Sequence, residues 1–196
     1  MRWAGIFAAA VLGMGAAGAE VSESGLPGDS ARLERLREDF DRAPESAEAT
    51  RRLKRRIAAE MPPDRGEWPT IYLAYDAALE GLEGKHSAAP WDKYVRAKSG
   101  LAKLDALVSA QPDSIEIRAL RYFYCRGLPD MFGAGGRVAE DYAALAELYA
   151  RGADETVAGS YRESLRARLL EEAPAEGEAK NKLKTAPAET IDGPGK

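Results

Sequence analysis

Residues 94–121, which read YVRAKSGLAKLDALVSAQPDSIEIRALR, decide the fold class of this 196-residue chain. Apolar residues recur there at alternating steps of three and four, which predicts one buried stripe on an α-helix at Tyr94, Ala97, Leu101, Leu104 and Val108. Pro112 ends that helix, and a second stripe begins at Ile117, Leu120 and Tyr124. Two helices joined by so short a break must pack together to bury both stripes, so the stretch predicts an antiparallel hairpin.

Similar patterns on both sides extend this prediction to about seven helices in antiparallel hairpins. Asp113 and Glu116 have the D-x-x-E spacing of a capping box, which predicts the start of the second hairpin helix. A loop is predicted over residues 84–89, before Pro90 opens the next helix. β-branched residues never alternate over four or more positions, so the fold class is all-α.

The two ends of the chain differ in composition from the middle. Residues 1–19 have a basic start, a short apolar core and an A-x-A ending, which predicts a secretory signal peptide rather than an uncleaved membrane anchor. Residues 20–28 are polar and are predicted to form a flexible arm, and a single helical domain is predicted over 29–172. Residues 173–196 contain only Leu183 and Ile191 as large apolar side chains, which predicts a disordered C-terminal tail.

The predicted hairpin resembles a tetratricopeptide repeat (TPR). The residues that carry the resemblance belong to the second helix of such a repeat and its terminal proline: Ala97, Leu101, Leu104, Asp105, Ala106 and Pro112. Residues 113–120 resemble the opening of a following repeat. The longer run from Tyr72 through LPDMFG at 128–133 to Asp141 is similar to uncharacterised bacterial exported proteins of TPR-like fold. The resemblance implies a short solenoid of helical hairpins and brings no known activity with it.

The chain contains few of the residues from which catalytic or metal sites are built. It has one cysteine and one histidine, and it lacks HxxxH, HExxH, CxxC and G-x-S-x-G patterns, so we expect no metal, no cofactor and no enzymatic activity. Cys125 follows two aromatic residues in a predicted helix, which favours a buried structural thiol. The glycine-rich stretch at 133–137 could hold an anion at a helix N-terminus, but a turn between helices is the favoured interpretation.

Several side chains are candidates for binding a partner. Aromatic residues outside the apolar stripes could line a groove, namely Tyr72, Trp91 and Tyr122. Lys98, Arg118 and Arg121 lie on the helices around such a groove. The two arginines could reach a carboxylate such as Asp105 or Asp141 on a neighbouring helix as a structural pair, or they could grip a peptide carboxylate.

A dense basic run on the second predicted helix is a separate candidate, comprising Arg51, Arg52, Lys54, Arg55 and Arg56. It could contact anionic lipid or a cell-wall polymer. The alternative is a solvated helix face, because Glu48 and Glu60 have the spacing to pair with Arg52 and Arg56.

These patterns predict a periplasmic or secreted, non-enzymatic TPR-like module that binds a protein or peptide in the bacterial envelope. An envelope-associated protein that uses the basic helix is the alternative, and an enzyme ranks last. The net charge of −4 gives no overall attraction to nucleic acid. The partner and the oligomeric state are left open.

Overall fold

The computed structural model describes residues 29–153, 157, 159–173 and 176–187. Over these residues the chain has eight α-helices and no β-strand, which confirms the all-α class. The helices are α1 (Asp29–Arg42), α2 (Ala47–Glu60), α3 (Thr70–His86), α4 (Pro90–Ala110), α5 (Ile115–Gly127), α6 (Gly135–Ala150), α7 (Gly159–Glu171) and α8 (Glu178–Thr185). Single-turn 3₁₀ helices occupy three connections, at Ala43–Glu45, Arg65–Glu67 and Asp130–Phe132. The predicted signal peptide and arm lie outside the described residues.

Helices α3 and α4 run antiparallel along their whole length. Near the turn that joins them, Gly84 of α3 lies directly against the side chain of Arg96. At the opposite end, the Gln111 side chain just after α4 hydrogen-bonds the hydroxyl group of Thr70 at 3.2 Å. The two helices therefore form one extended hairpin.

Helix α5 returns along α4, which confirms the hairpin predicted from residues 94–121. The Tyr124 hydroxyl group donates a 2.8 Å hydrogen bond to the carbonyl oxygen of Ala97. One helical turn earlier, Arg121 donates a 3.0 Å hydrogen bond to Asp105. Each helix from α2 to α5 packs against the next one in the chain.

Helix α5 is buried on two sides because it lies between two apolar clusters. The first cluster combines side chains of α1 to α4 with one side of α5, at Ile117, Leu120, Tyr124 and Cys125. The second cluster combines α6, α7 and α8 with the other side of α5, at Ile115, Ala119, Tyr122 and Phe123. Helix α5 is therefore shared by both halves of the described core.

Glycines allow close packing where α3, α4 and α5 meet. A Cβ atom at Gly100 of α4 would lie 2.6 Å from the carbonyl oxygen of Ala77, and one at Gly81 of α3 would lie 2.1 Å from the Tyr124 hydroxyl oxygen. Both distances are shorter than real Cβ contacts. The Tyr124 ring therefore occupies space that exists because neither position carries a side chain.

Two helix boundaries differ from the sequence predictions. The cap of α5 is Ser114, whose hydroxyl oxygen accepts from the amide of Ile117, so the capping box predicted for Asp113 and Glu116 is wrong. Glu116 is buried instead and bonds residues from other helices. The loop predicted over 84–89 is also too long, because α3 continues to His86.

The C-terminal residues also differ from the prediction of a disordered tail. Helix α8 lies against α6, and its Leu183 side chain is fully buried in the second cluster. Lys182 of α8 also forms an ion pair with Glu147 of α6. Tertiary packing of this side chain stabilises the short helix, and an average composition over the whole segment conceals it. Residues 188–196 lie outside the described part of the chain.

Candidate functional site

Three aromatic rings stack in a row on the outer side of α4. Trp91 stacks on Tyr94 with ring centroids 5.6 Å apart and planes at 24°. Tyr94 stacks on Phe132 of the Asp130–Phe132 turn with centroids 5.3 Å apart and planes at 29°. Offset stacking at these separations is favourable, so the three rings form one rigid aromatic unit.

The outer ring of this unit is left in water. Trp91 is 74% exposed, as is Met131, and Val95 is 44% exposed. Lys98 places its ammonium group 6.0 Å from the centroid of Tyr94. Together these residues form what we call the aromatic surface, defined as Trp91, Tyr94, Val95, Lys98, Met131 and Phe132. Exposed large apolar side chains that lie side by side commonly mark an interaction site.

Local structure explains why these side chains point outward together. Pro90 begins α4. One face of the helix then carries residues at steps of three and four, namely Trp91, Tyr94, Val95 and Lys98. Gly133 adopts φ +62° after the Asp130–Phe132 turn, a left-handed conformation that glycine accepts without strain. That turn packs Phe132 partly onto the first cluster and leaves Met131 outside.

The structure separates the three aromatic residues that the sequence analysis grouped. Trp91 lies on the surface, as expected for a binding residue. Tyr72 is buried in the first cluster and Tyr122 in the second, so the prediction that they line a groove is wrong. The Tyr122 hydroxyl group donates to the carbonyl oxygen of Glu172 at 2.9 Å, and burial raises the pKa of this phenol to about 12.

Arg121 bonds three carboxylates within the protein. It donates two hydrogen bonds to Asp141, at 2.8 and 2.7 Å, and further ones to Asp105 and Glu140. Arg118 reaches the same Asp141 carboxylate at 3.1 Å and also bonds the carbonyl oxygen of Pro112. Burial raises the pKa of Asp141, although the two arginines oppose the rise. The expected contact with carboxylates is confirmed, and it uses four of the five N–H donors of Arg121 within the protein.

The basic run on α2 is partly neutralised. Lys54 pairs with Glu83 at 2.6 Å, and Arg56 pairs with Asp39 and with Glu60. Arg52 lies 3.6 Å from Glu48, so both ion pairs expected within the helix are present. Arg51 and Arg55 remain exposed. None of the described helices is long and apolar enough to cross a membrane.

A buried polar network involving Glu116 was missed by the sequence analysis. Arg37 of α1 donates two hydrogen bonds to Glu116, at 2.8 and 2.6 Å, and the Tyr75 hydroxyl group donates a third at 2.6 Å. The Arg37 guanidinium also lies 4.0 Å from the ring centroid of Tyr161. Burial, reinforced by the charge of Glu116, raises the pKa of Tyr75 well above its usual value. Arg37 precedes Glu116 by 79 residues, so no local spacing could have revealed the pair.

The network encloses very little space. The cavity beside Glu116, which Asp41 also lines, has a volume of about 20 Å³. That is room for about one water molecule. The two carboxylates therefore lack space for a substrate between them.

Cys125 lies at the floor of a wider depression of about 510 Å³ beside the turn at 128–135. The thiol is buried, as predicted, and burial raises its pKa to about 12. A thiol with so high a pKa is a poor nucleophile at neutral pH. No group of three or more His, Cys, Asp or Glu residues in the described ranges is arranged to hold a metal ion.

In comparisons with known proteins, no family model matches the chain, and no curated protein or solved structure is significantly similar to it.

Proposed function

We propose that this protein is an exported, non-enzymatic helical module that binds a protein or peptide through the aromatic surface. The observation that carries the proposal is the stacked row of Trp91, Tyr94 and Phe132, whose outermost ring is 74% exposed. Burying a side chain of this size typically yields about 2 kcal/mol or more, and exposed tryptophans that become buried are frequent binding hot spots.

The shape and charge of the aromatic surface favour an extended peptide segment as the partner. A row of flat rings suits apolar or proline side chains presented along an extended backbone. Lys98 adds a positive charge at the edge of the row, so an acidic residue in the segment would be complementary. The rings are held in place by stacking before binding, which lowers the entropy that a partner must overcome.

The TPR-like and exported parts of the proposal have separate support. The packing of each helix from α2 to α5 on the next one, with α3, α4 and α5 antiparallel, suits a solenoid of helical hairpins. Export is inferred from the pattern at residues 1–19 alone, and N-terminal sequencing of the mature protein would test it. The alternative, contact of the basic helix with anionic lipid or cell-wall polymer, has less support because three of its five basic residues are ion-paired.

Site-specific photo-crosslinking tests the proposal. We would place a benzoylphenylalanine at Met131, within the aromatic surface, and irradiate the full-length protein in the cells that produce it. A matched control carries the same group at Ala143, an exposed position on α6 outside the surface. We expect a discrete adduct from position 131 that disappears when Trp91→Ser is added.

Two outcomes would contradict the proposal. Adducts of equal intensity from positions 131 and 143 would show that the aromatic surface is not selective. Persistence of the adduct in a Trp91→Ser, Tyr94→Ser double variant with an unchanged circular dichroism spectrum would show that the rings do not bind the partner.

A further inference from the structure

A pocket of about 210 Å³ opens where the ends of α2, α3 and α4 meet. It is separate from the aromatic surface, since it shares none of the residues that define that surface. Its walls combine Ala47 with charged and polar side chains from all three helices and from the connection between α3 and α4. These are Arg51, Glu83, His86, Ser87, Asp92 and Arg96.

His86 brings an unsatisfied polar atom to this pocket. It is the single histidine of the chain, and its ring hydrogen-bonds the backbone of Ala43. Its Nε2 atom is buried and has no hydrogen-bond partner among the described residues. A buried polar atom without a partner is costly. Because the other ring nitrogen donates to the Ala43 backbone, neutral Nε2 is an acceptor, and it can donate to a ligand oxygen only when the imidazole is protonated.

The charge around the pocket is positive. Glu83 is neutralised by Lys54 at 2.6 Å and by Arg96 at 2.8 Å. Asp92 is bonded by Arg96 at 3.0 Å and by the Ser87 side chain. A third carboxylate, Glu80, also interacts with Lys54 and Arg96, but it pairs with Lys103 at 2.5 Å. The carboxylates therefore face more basic side chains than they can balance, namely Arg51, Lys54, Lys85, Lys93 and Arg96.

Two of the basic groups retain free donors. Arg51 makes no ion pair or hydrogen bond with any described residue. Arg96 uses Nε and Nη1 on the carboxylates, and its Nη2 makes no hydrogen bond to a described residue. Donors thus approach the pocket from α2 and α4, and a protonated His86 would add one from α3.

We propose that this pocket binds a phosphate group, held by Arg51, Arg96 Nη2 and protonated His86 Nε2. A phosphate presents oxygens in several directions, which suits donors that come from three helices, whereas a carboxylate presents two oxygens in one plane. The pocket volume also leaves room for part of the molecule that carries the phosphate. The site does not depend on the peptide-binding function proposed above.

Phosphate binding should be coupled to the protonation of His86. Burial lowers the pKa of His86, and the positive charges of Lys85, Arg51 and Lys93 lower it further. Arg96 and Lys54 add positive charge at the pocket and are balanced by Glu83 and Asp92. A bound dianion favours the imidazolium, so it should raise the pKa of His86 and bind more tightly as the pH falls.

The single histidine makes this coupling directly measurable. We would titrate the imidazole of the full-length protein, carrying no histidine tag, by NMR in chloride and in phosphate at matched ionic strength. We expect inorganic phosphate to raise the pKa of His86 with saturation. Arg51→Gln should weaken phosphate binding, measured by calorimetry, by roughly tenfold or more.

Arg55→Gln is the matched control, because Arg55 lies one turn further along α2, is exposed and does not line the pocket. It should leave phosphate affinity within about twofold of wild type. Vesicles of phosphatidylcholine, with and without phosphatidylglycerol, distinguish a lipid headgroup from free phosphate. Binding to either source that is lost in Arg51→Gln and kept in Arg55→Gln supports the site.

The proposal is overturned if neither phosphate nor anionic vesicles change the pKa of His86. It is also overturned if Arg51→Gln and Arg55→Gln weaken phosphate binding equally. That result would indicate a non-specific electrostatic attraction of anions to α2. The Trp91→Ser variant should bind phosphate with the affinity of the wild type. The peptide-binding proposal and the phosphate-binding proposal are therefore tested independently.

Discussion

The hydroxyl group of Tyr124 donates a 2.8 Å hydrogen bond to the carbonyl oxygen of Ala97, in the buried space between α3, α4 and α5. The carbonyl oxygen of Ala97 lies inside α4 and already accepts a hydrogen bond from a backbone amide of that helix. The bond from Tyr124 uses the second lone pair of this oxygen and links α5 to α4. The ring reaches Ala97 because Gly81 and Gly100 leave space on both sides. Three helices are thus fixed by one side chain.

Gly100→Ala should destabilise the protein by about 1–3 kcal/mol, because the added methyl group would overlap the carbonyl oxygen of Ala77 and the Tyr124 ring. Urea unfolding followed by circular dichroism measures the change. Gly136→Ala is the control, since nothing lies within 4 Å of that position and α6 gains a better helix former. A smaller loss of unfolding free energy for Gly100→Ala than for Gly136→Ala would contradict this close packing.

Arg121→Met should cost about 3–5 kcal/mol of unfolding free energy, because it leaves the carboxylate of Asp141 buried with only Arg118 as a partner. The same denaturation measurement applies. Arg151→Met removes the exposed pair with Asp113 at 2.6 Å, and we expect a cost below about 1 kcal/mol. Similar costs for both variants would mean that Arg121 is not buried in an ion-pair network.

Stability should fall above pH 10. The pKa values of six tyrosines are raised by burial, at Tyr75, Tyr122, Tyr124, Tyr142, Tyr149 and Tyr161. Above the ordinary value of 10.0 the unfolded state releases phenol protons that the folded state retains. The stability present below pH 10 is therefore lost as the pH rises towards the folded pKa values.

Tyr75 gives the sharpest test of that alkaline effect. Each phenol that stays protonated only in the folded state contributes a slope of about 1.4 kcal/mol per pH unit. Tyr75→Phe should lower stability at pH 7 by removing the bond to Glu116, and it should also make the alkaline slope shallower by about one proton. The measurement is urea unfolding between pH 9 and about 11. An unchanged slope would show that Tyr75 titrates normally.

Leu183→Ala should cost about 2–5 kcal/mol if α8 is docked as described, because the side chain is fully buried in the second cluster. Lys184→Ala, on the exposed side of the same helix, should change stability little. Equal and negligible effects of both substitutions would restore the composition-based prediction of a disordered tail.

The features that could be predicted from the sequence are those set by local periodicity. Ala97, Leu101, Leu104 and Val108 of the predicted stripe are buried, and Pro112 lies in the break that follows α4. Tyr94, the first member of the stripe, is only half-buried and belongs to the aromatic surface. The order of the first seven helices followed from the same spacing, because apolar burial on one face and proline both act within a few residues. Helix α8 did not, since it lies in the segment predicted to be disordered.

The side chains off the stripes could not be assigned in this way. A periodic pattern identifies one buried face, but α3 and α5 are covered on a second face by neighbours distant in sequence. Tyr72 and Tyr122 are therefore buried, although they lie off the stripes. Trp91 is exposed because none of the described helices packs over the face of α4 on which it lies. Which of the three would be available to a partner depends on tertiary contacts.

Glu116 illustrates a conflict between local and distant signals. Its D-x-x-E spacing with Asp113 is a sound helix-start pattern, and α5 does start there. The carboxylate nevertheless turns inward, since two hydrogen bonds from Arg37 and one from Tyr75 offer more than one backbone amide could. The local rule located the helix correctly and misassigned the side chain.

The position of α5 between the two clusters has a consequence for how this protein can vary over time. A substitution in α5 must suit two sets of neighbours at once, whereas Trp91, Val95 and Met131 touch water. Descendants of this sequence should therefore keep α5 nearly fixed while they exchange residues on the outer face of α4. The partner binding proposed above could then change through these residues while α5 keeps its packing.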